Sequence, residues 1–312
     1  MPKTKILVVG GAGYVGTLLS NYLSSKEKKI TVIDNFWFGD FLNKKIKKIK
    51  KDVRNLNIVD FKNQDIVINL AYLSNDPLCE INARDTWEIG PLSTYQQLDL
   101  SVKAGVKKYI FASSGSIYGL KKEKNVTEDL GLYPITDYNK SKMICEKVVE
   151  SFNDKISTTI LRPATVCGFS PRLRLDVVLN LFCYQAFFDK QITILGGNQI
   201  RPLVHIKDMI RSYEFVINKN IKGCFNIGFE NQKVKELAKN ISKIFQCKLI
   251  TKKSNDPRSY RINSDKIISK GFVPKYNSID AILDLKQAFD KGFKPTNVNW
   301  NLKYLTNKKI IF

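Results

Sequence analysis

Residues 5–16 read KILVVGGAGYVG, and the fold follows from how this stretch divides. Lys5 to Val9 is a short, mostly apolar run, the pattern of a parallel strand covered on both faces. Gly10, Gly13 and Gly16 follow, and Tyr14 to Leu23 reads as a helix. Glycine permits the tight turn and lets a backbone approach a pyrophosphate, while the helix N-terminus supplies N–H groups and a favourable dipole. Ile30 to Ile33 is a second strand, and Asp34 stands at its end, where a carboxylate can accept both hydroxyls of an adenosine ribose. The same carboxylate would repel a 2′-phosphate. The next residues, Asn35, Phe36 and Trp37, bring no arginine to offset it. The stretch therefore predicts a dinucleotide site that takes NAD in preference to NADP.

Working outward, Asp65 to Leu70, Tyr109 to Ser113 and Thr158 to Leu161 read as further strands. Asn82 to Ala104 suits a helix or a pair of helices, and another helix begins near Tyr138 and runs through Val149. Strand alternating with helix predicts an α/β fold with a doubly wound parallel sheet. The second half is less regular. Its helices are expected at Asp176 to Phe188, Lys207 to Asn218, Val234 to Phe245 and Ile279 to Phe289, with a strand at Ile192 to Leu195. The expected division is a dinucleotide-binding lobe over residues 1–165, to which the chain returns around 200–228, and a smaller α/β lobe mainly over 166–312.

Lys and Arg number 51 against 29 Asp and Glu, a formal charge of +22, which favours association with anions. The basic residues are scattered. Their densest run, Asn43 to Lys51, reads as a solvated helix or loop face, and without interleaved aromatics it does not favour nucleic acid as a partner. The six cysteines form no CxxC pair, and His205 is the only histidine, so no metal site is expected. The chain opens with neither a signal-peptide pattern nor an apolar stretch near the roughly 18 residues that span a bilayer, so a cytoplasmic protein with reduced thiols and no membrane partner is expected.

Tyr138 and Lys142 form a YxxxK pair, and residues four apart share one helix face. A free tyrosine, with a pKa of about 10, is a poor base at neutral pH. A neighbouring ammonium, helped by the positive nicotinamide of NAD⁺, stabilises its phenolate. Ser114, at the end of the YIFASS strand, can hold a substrate hydroxyl beside Tyr138, and Lys142 can also reach the nicotinamide ribose. In a chain this rich in Lys a lone Tyr–Lys pair on a surface helix is common. The weight of this one comes from its place after a dinucleotide half and after SSGSIYG.

With these motifs in place the chain resembles the extended short-chain dehydrogenase/reductases, in their nucleotide-sugar epimerase and dehydratase branch, over nearly its whole length. GGAGYVG looks like the family's cofactor loop (Gly10, Gly13, Tyr14, Val15, Gly16), with Val9 where Thr is more usual. Asp52 and Val53 resemble the motif beside the adenine, and Leu70, Ala71 and Tyr72 the strand end along the cofactor. LRPATVCG, RPLVHIKD and FNIG resemble segments specific to the sugar-nucleotide branch. The resemblance implies NAD as cofactor, a nucleotide-sugar substrate, and a homodimer packed through a four-helix bundle. It implies that Asn180, Arg201 and Arg258 contact the diphosphate or adjoining groups, and that Ser74 faces the sugar; Arg suits the task because its planar fork donates twice to a phosphate. His205, inside RPLVHIKD, is expected to be structural.

The chemistry so implied is oxidation of a ring carbon, C4 foremost, to a transient keto-sugar, with return of the hydride on the other face. Dehydratases of the branch carry Thr-Asp-Glu where this chain has Ser114-Gly115-Ser116, so a 4,6-dehydratase ranks below an epimerase. SPRLRLD (Ser170 to Asp176) resembles a less uniform subgroup and keeps a C4 dehydrogenase or reductase open. An RNA-associated member without catalysis suits the charge but not the intact Ser–Tyr–Lys set, and a dehydrogenase acting on a nucleotide-free substrate is the remaining alternative.

Overall fold

An apolar run without a polar face needs cover on both sides, and KILVV finds it at the centre of a parallel sheet. In the computed structural model, which describes residues 3–74, 76–254 and 259–308, β1 (Lys5–Val9) lies between β2 (Lys29–Asp34) and β4 (Ile66–Asn69). With β3 (Lys47–Lys50), β5 (Lys108–Ala112), β6 (Ser157–Pro163) and β10 (Gly223–Ile227) they form one sheet in the order β10-β6-β5-β4-β1-β2-β3, parallel throughout. The strand order reverses between β1 and β4, which opens a crevice at their carboxyl ends.

Alternation along β1 sorts its side chains into two cores. Ile6 and Val8 pack with Leu19 and Leu23 of α1 (Tyr14–Ser25), whereas Leu7 and Val9 pack with Leu98, Cys145 and Val149. Those last three lie on α5 (Ser93–Lys103) and α6 (Asp137–Glu150). The short helix α2 (Ile58–Phe61) precedes β4, and α3 (Asp76–Ile81) and α4 (Ala83–Trp87) lead into α5 through a single wide turn at Glu88–Leu92. The stretch Asn82 to Ala104, expected as a helix or a pair of helices, is two helices, α4 and α5, joined by that wide turn. Gly90 within the wide turn leaves room for a ring: a Cβ there would stand 2.6 Å from the Tyr72 hydroxyl.

The rest of the chain builds a smaller lobe on a third core. β7 (Thr165–Cys167), β9 (Ile200–His205) and β11 (Glu230–Lys233) form a three-stranded sheet, and β8 (Gln191–Leu195) pairs in parallel with β12 (Lys248–Lys252). α7 (Val178–Tyr184), α9 (Val234–Phe245) and α11 (Ser278–Asp290) cover them, while α8 (Ile206–Asn218) packs on α1 of the first lobe. α10 (Asp265–Ser269) lies against β10, and α12 (Asn301–Asn307) ends the described chain.

Two expectations need correction. Asn43 to Lys51 is not a solvated helix or loop throughout: Lys47–Lys50 pairs with β2 as the edge of the main sheet, because Ile46 is buried and Ile49 packs on the core while the lysines point outward. Lysine on an edge strand discourages pairing with a second sheet. The return to the first core covers Val204 to Ile227, within the expected 200–228, and is also longer than that. β9 belongs to the smaller sheet, α8 and β10 return, and Ile262, Ile267 and Phe272 join the first core as well.

Candidate active site at the carboxyl ends of the parallel strands

The glycines divide the work of the loop. Gly10 has φ +79° and donates to Ile33 O at 2.8 Å, and a Cβ on it would lie 2.5 Å from Ala71 N. A Cβ on Gly16 would lie 2.4 Å from Gly10 O. These two let β1, β4 and α1 close on one another. Gly13 caps α1 without a side chain, and the first turn of the helix lines an open cleft of about 900 Å³. Gly10, Gly13, Tyr14, Val15, Gly16, Asp34, Asn35, Val53, Leu70, Ala71, Tyr72 and Ser74 all border this cleft, so the motifs chosen from the sequence converge on one site.

Asp34 accepts from Ala12 N (2.9 Å) and Phe36 N (2.8 Å), which ties the glycine loop to the end of β2. Burial pushes its carboxyl above the usual carboxylate range against those bonds. Asp52 stands one step back: it accepts from Asn35 (3.3 Å) and forms a two-pronged pair with Arg54, which holds its carboxyl low despite partial burial. A glycine cradle, a helix N-terminus and a ribose-side carboxylate are the donor and acceptor set a dinucleotide needs. Replacing Asp34 by Ala is expected to weaken NAD roughly 10-fold or more and NADP less, as loss of a charged hydrogen-bond partner implies. Equal weakening in parallel calorimetric titrations would remove the ribose argument.

Ser114, Tyr138 and Lys142 do not themselves border this cleft; Tyr72 on its wall joins it to them. The rings of Tyr72 and Tyr138 meet edge to face at 5.6 Å, and the Tyr72 hydroxyl donates to Ser141 on α6 (2.6 Å). Ser114 stands close enough to Tyr138 to favour its phenolate and lies 2.8 Å from the Ser116 hydroxyl, which in turn donates to Asn139. Lys142 is buried; its ammonium donates to Ala112 O (2.6 Å) and sits 3.6 Å from the centre of the Tyr72 ring. Burial raises the Tyr138 phenol above its ordinary value and lowers Lys142 to about 8. Both shifts oppose the charged forms, so these protein groups do not by themselves make a phenolate–ammonium pair. A further positive charge at the cleft is required.

The remaining candidates separate. Ser74 borders the cleft and accepts from Asn301 (3.3 Å). Asn180 is fully buried and spends its amide inside the protein: it accepts from Gly168 N and donates to the Tyr14 hydroxyl and Arg174 O. Arg201 is half-buried on β9 and does not border the cleft, and Arg258 lies outside the described residues. His205 caps α8 by accepting from Lys207 N (3.0 Å) and stacks on Tyr276, and burial lowers its pKa, all as a structural histidine.

The sequence profile of the NAD dependent epimerase/dehydratase family matches residues 6–228, well over half of the chain. This protein belongs to that family. A putative UDP-glucose 4-epimerase of Methanocaldococcus jannaschii is 29% identical over 95% of this chain and 97% of its own length. A UDP-glucose 4-epimerase of Lactobacillus helveticus is 26% identical over 89% of this chain and 94% of its own. Among solved structures, UDP-glucuronic acid 4-epimerase from Bacillus cereus, in complex with UDP-glucuronic acid and NAD, superposes with a TM-score of 0.83 at 24% identity, covering 93% of this chain and 100% of that one. The chain is thus an enzyme of an NAD-dependent family with the extended short-chain dehydrogenase/reductase fold, and NAD is its cofactor.

Several residues of this family member's cleft escaped the sequence reading. Trp37, Phe38, Arg172, Arg174 and Asn301 all border it. Arg172 and Arg174 lie in SPRLRLD, a legible stretch whose place over the cleft is set by the fold, and Asn301 carries no local signal at all. Ser116 and Asn139 sit inside motifs already recognised, and they tether Ser114. No group of three or more possible metal ligands occurs among the described residues, and none of their helices is long and apolar enough to cross a membrane.

Proposed function

We propose that this protein is an NAD-dependent nucleotide-sugar 4-epimerase acting on a UDP-hexose. The observation that carries the reading is that Tyr138 and, one turn along α6, Lys142 both pack on Tyr72, which borders the cleft lined by the dinucleotide motifs. Relatives that align over almost their full lengths are UDP-glucose 4-epimerases by name, which supports the substrate class.

Bound NAD supplies a hydride acceptor and donor in the cleft. Ser114 holds the C4 hydroxyl of the sugar, and Tyr138 takes its proton as the hydride leaves C4. Lys142 stabilises the phenolate electrostatically together with the positive charge that NAD⁺ would bring to the cleft. The same two hydroxyls return the proton after the keto-sugar has turned over, so the protein ends as it began. Ser114-Gly115-Ser116 offers no carboxylate to drive loss of water, which favours epimerisation over dehydration. Ser74, Asn180, Arg201 and Arg258 are the proposed contacts to the sugar nucleotide, Asn180 through the loop it locks around Gly168. The exposed Leu92 and Tyr95 at the start of α5 fit a homodimer built on α5 and α6. Six free cysteines, four of them buried, suit a reducing cytoplasm.

The test is to incubate the protein with UDP-glucose labelled with deuterium at C4 and follow the sugar by NMR. Inversion at C4 with the label retained is the expected result. Net NADH formation, loss of water, or release of the label to solvent overturns the epimerase reading.

A further inference from the structure

SPRLRLD, residues 170–176, is not used by the reaction above, yet it lies against the cofactor cleft. Its position is set from both ends. Ser170 donates to Tyr14 O (3.0 Å) and the Tyr14 hydroxyl donates to Gly168 O (2.6 Å), so one end is pinned to the first turn of α1. At the other end Leu175 N donates to Asn299 O (2.8 Å) and the Asn299 amide donates to Leu173 O (2.7 Å).

Between the pins Arg172 is only 1% exposed. Its guanidinium lies 3.9 Å from the centre of the Phe38 ring and donates Nη2 to Asn301 Oδ1. Nε and Nη1 have no hydrogen-bond partner among the described residues, and none of those residues forms an ion pair with Arg172. Burial lowers its pKa to about 9, which still leaves it charged at neutral pH. Asp34 and Asp176 lie near enough to favour the charge without pairing with it, leaving two buried donors unbonded is costly, and Arg172 borders the cleft. An anion bound there would satisfy both.

We propose that Arg172 binds the diphosphate of the dinucleotide through Nε and Nη1, with Phe38 and Asn301 as positioning residues. Ser170, two residues before Arg172, is anchored on Tyr14 at the helix N-terminus, where phosphates bind, and Arg172 and Tyr14 border the same cleft. Asp34 occupies the ribose side and repels a 2′-phosphate. The inference needs only the dinucleotide and is independent of the sugar reaction.

Adenosine, ADP, NAD and NADP are titrated calorimetrically against cofactor-stripped wild type, Arg172→Met and Arg172→Lys. Arg172→Met weakens ADP and NAD at least about 30-fold and leaves adenosine within about twofold, because only the first two carry the diphosphate. Lys restores part of the loss as a point charge without the fork. Equal losses for adenosine and ADP mean that Arg172 only packs the cleft, and they overturn the proposal. So does an unchanged ADP affinity, or a loss confined to NADP. Should Arg172→Met fail to fold, Asn301→Ala, which releases the guanidinium but keeps its charge, must weaken ADP more than adenosine; an equal effect on both overturns the assignment.

Discussion

Tyr138→Phe lowers turnover by about 10²–10⁴-fold, the range a positioned acid–base group contributes, while NAD affinity and thermal stability stay close to wild type. The separation follows from what the substitution removes. The ring keeps its edge-to-face contact with Tyr72 at 5.6 Å, and Ser114 keeps the Ser116 hydroxyl at 2.8 Å. Only the proton acceptor is lost. The pH profile supplies a second readout. A base whose protonated form is favoured by burial works through its minority form, so the wild-type rate climbs with pH through neutrality. Lys142, lowered to about 8, loses its ammonium above that point and ends the climb. The Phe variant lacks the rising limb. Sugar interconversion followed by NMR, with a parallel NAD titration, measures both; a variant retaining more than about a tenth of wild-type turnover removes Tyr138 from the role of base.

The parts of the site that were legible in the sequence are those whose chemistry is local. Gly10 and Gly16 stand where any Cβ would strike backbone, so the loop cannot be written otherwise. Tyr138 and Lys142 share a face because they share a helix. Asn43 to Lys51 misled because its lysines dominate the composition while two isoleucines decide the structure: Ile46 is buried, Ile49 packs on the core, and the charges lie outside. Arg172 was visible only as part of SPRLRLD, a stretch singled out by its resemblance to one subgroup of the family. Its burial depends on Asn301, 129 positions away, and on Phe38, which closes over it from the other lobe. No local pattern carries that information. Asn180 was singled out by family resemblance alone, and the three groups its amide binds, Gly168 N, the Tyr14 hydroxyl and Arg174 O, are brought to it by the fold.

The same dependence on distant partners makes Glu146 a position where a single change is expected to cost the fold heavily. It lies one turn beyond Lys142 on α6, is 1% exposed, and receives Arg162 of β6 through Nε (3.0 Å) and Nη2 (2.6 Å). Arg162 also donates to the Tyr118 hydroxyl (2.8 Å), which donates to Asn226 of β10 (2.8 Å). One carboxylate therefore ties the catalytic helix to two strands and to the turn after Ser114. Glu146→Ala leaves a buried guanidinium without its counter-charge and is expected to lower unfolding free energy by about 3–5 kcal/mol. Replacing both partners by Met removes the stranded charge and is expected to recover most of that loss. Urea unfolding of the two single variants and the double variant measures the coupling. If Glu146→Ala costs less than about 1 kcal/mol, the pair behaves like an exposed one and does not hold α6 on the sheet.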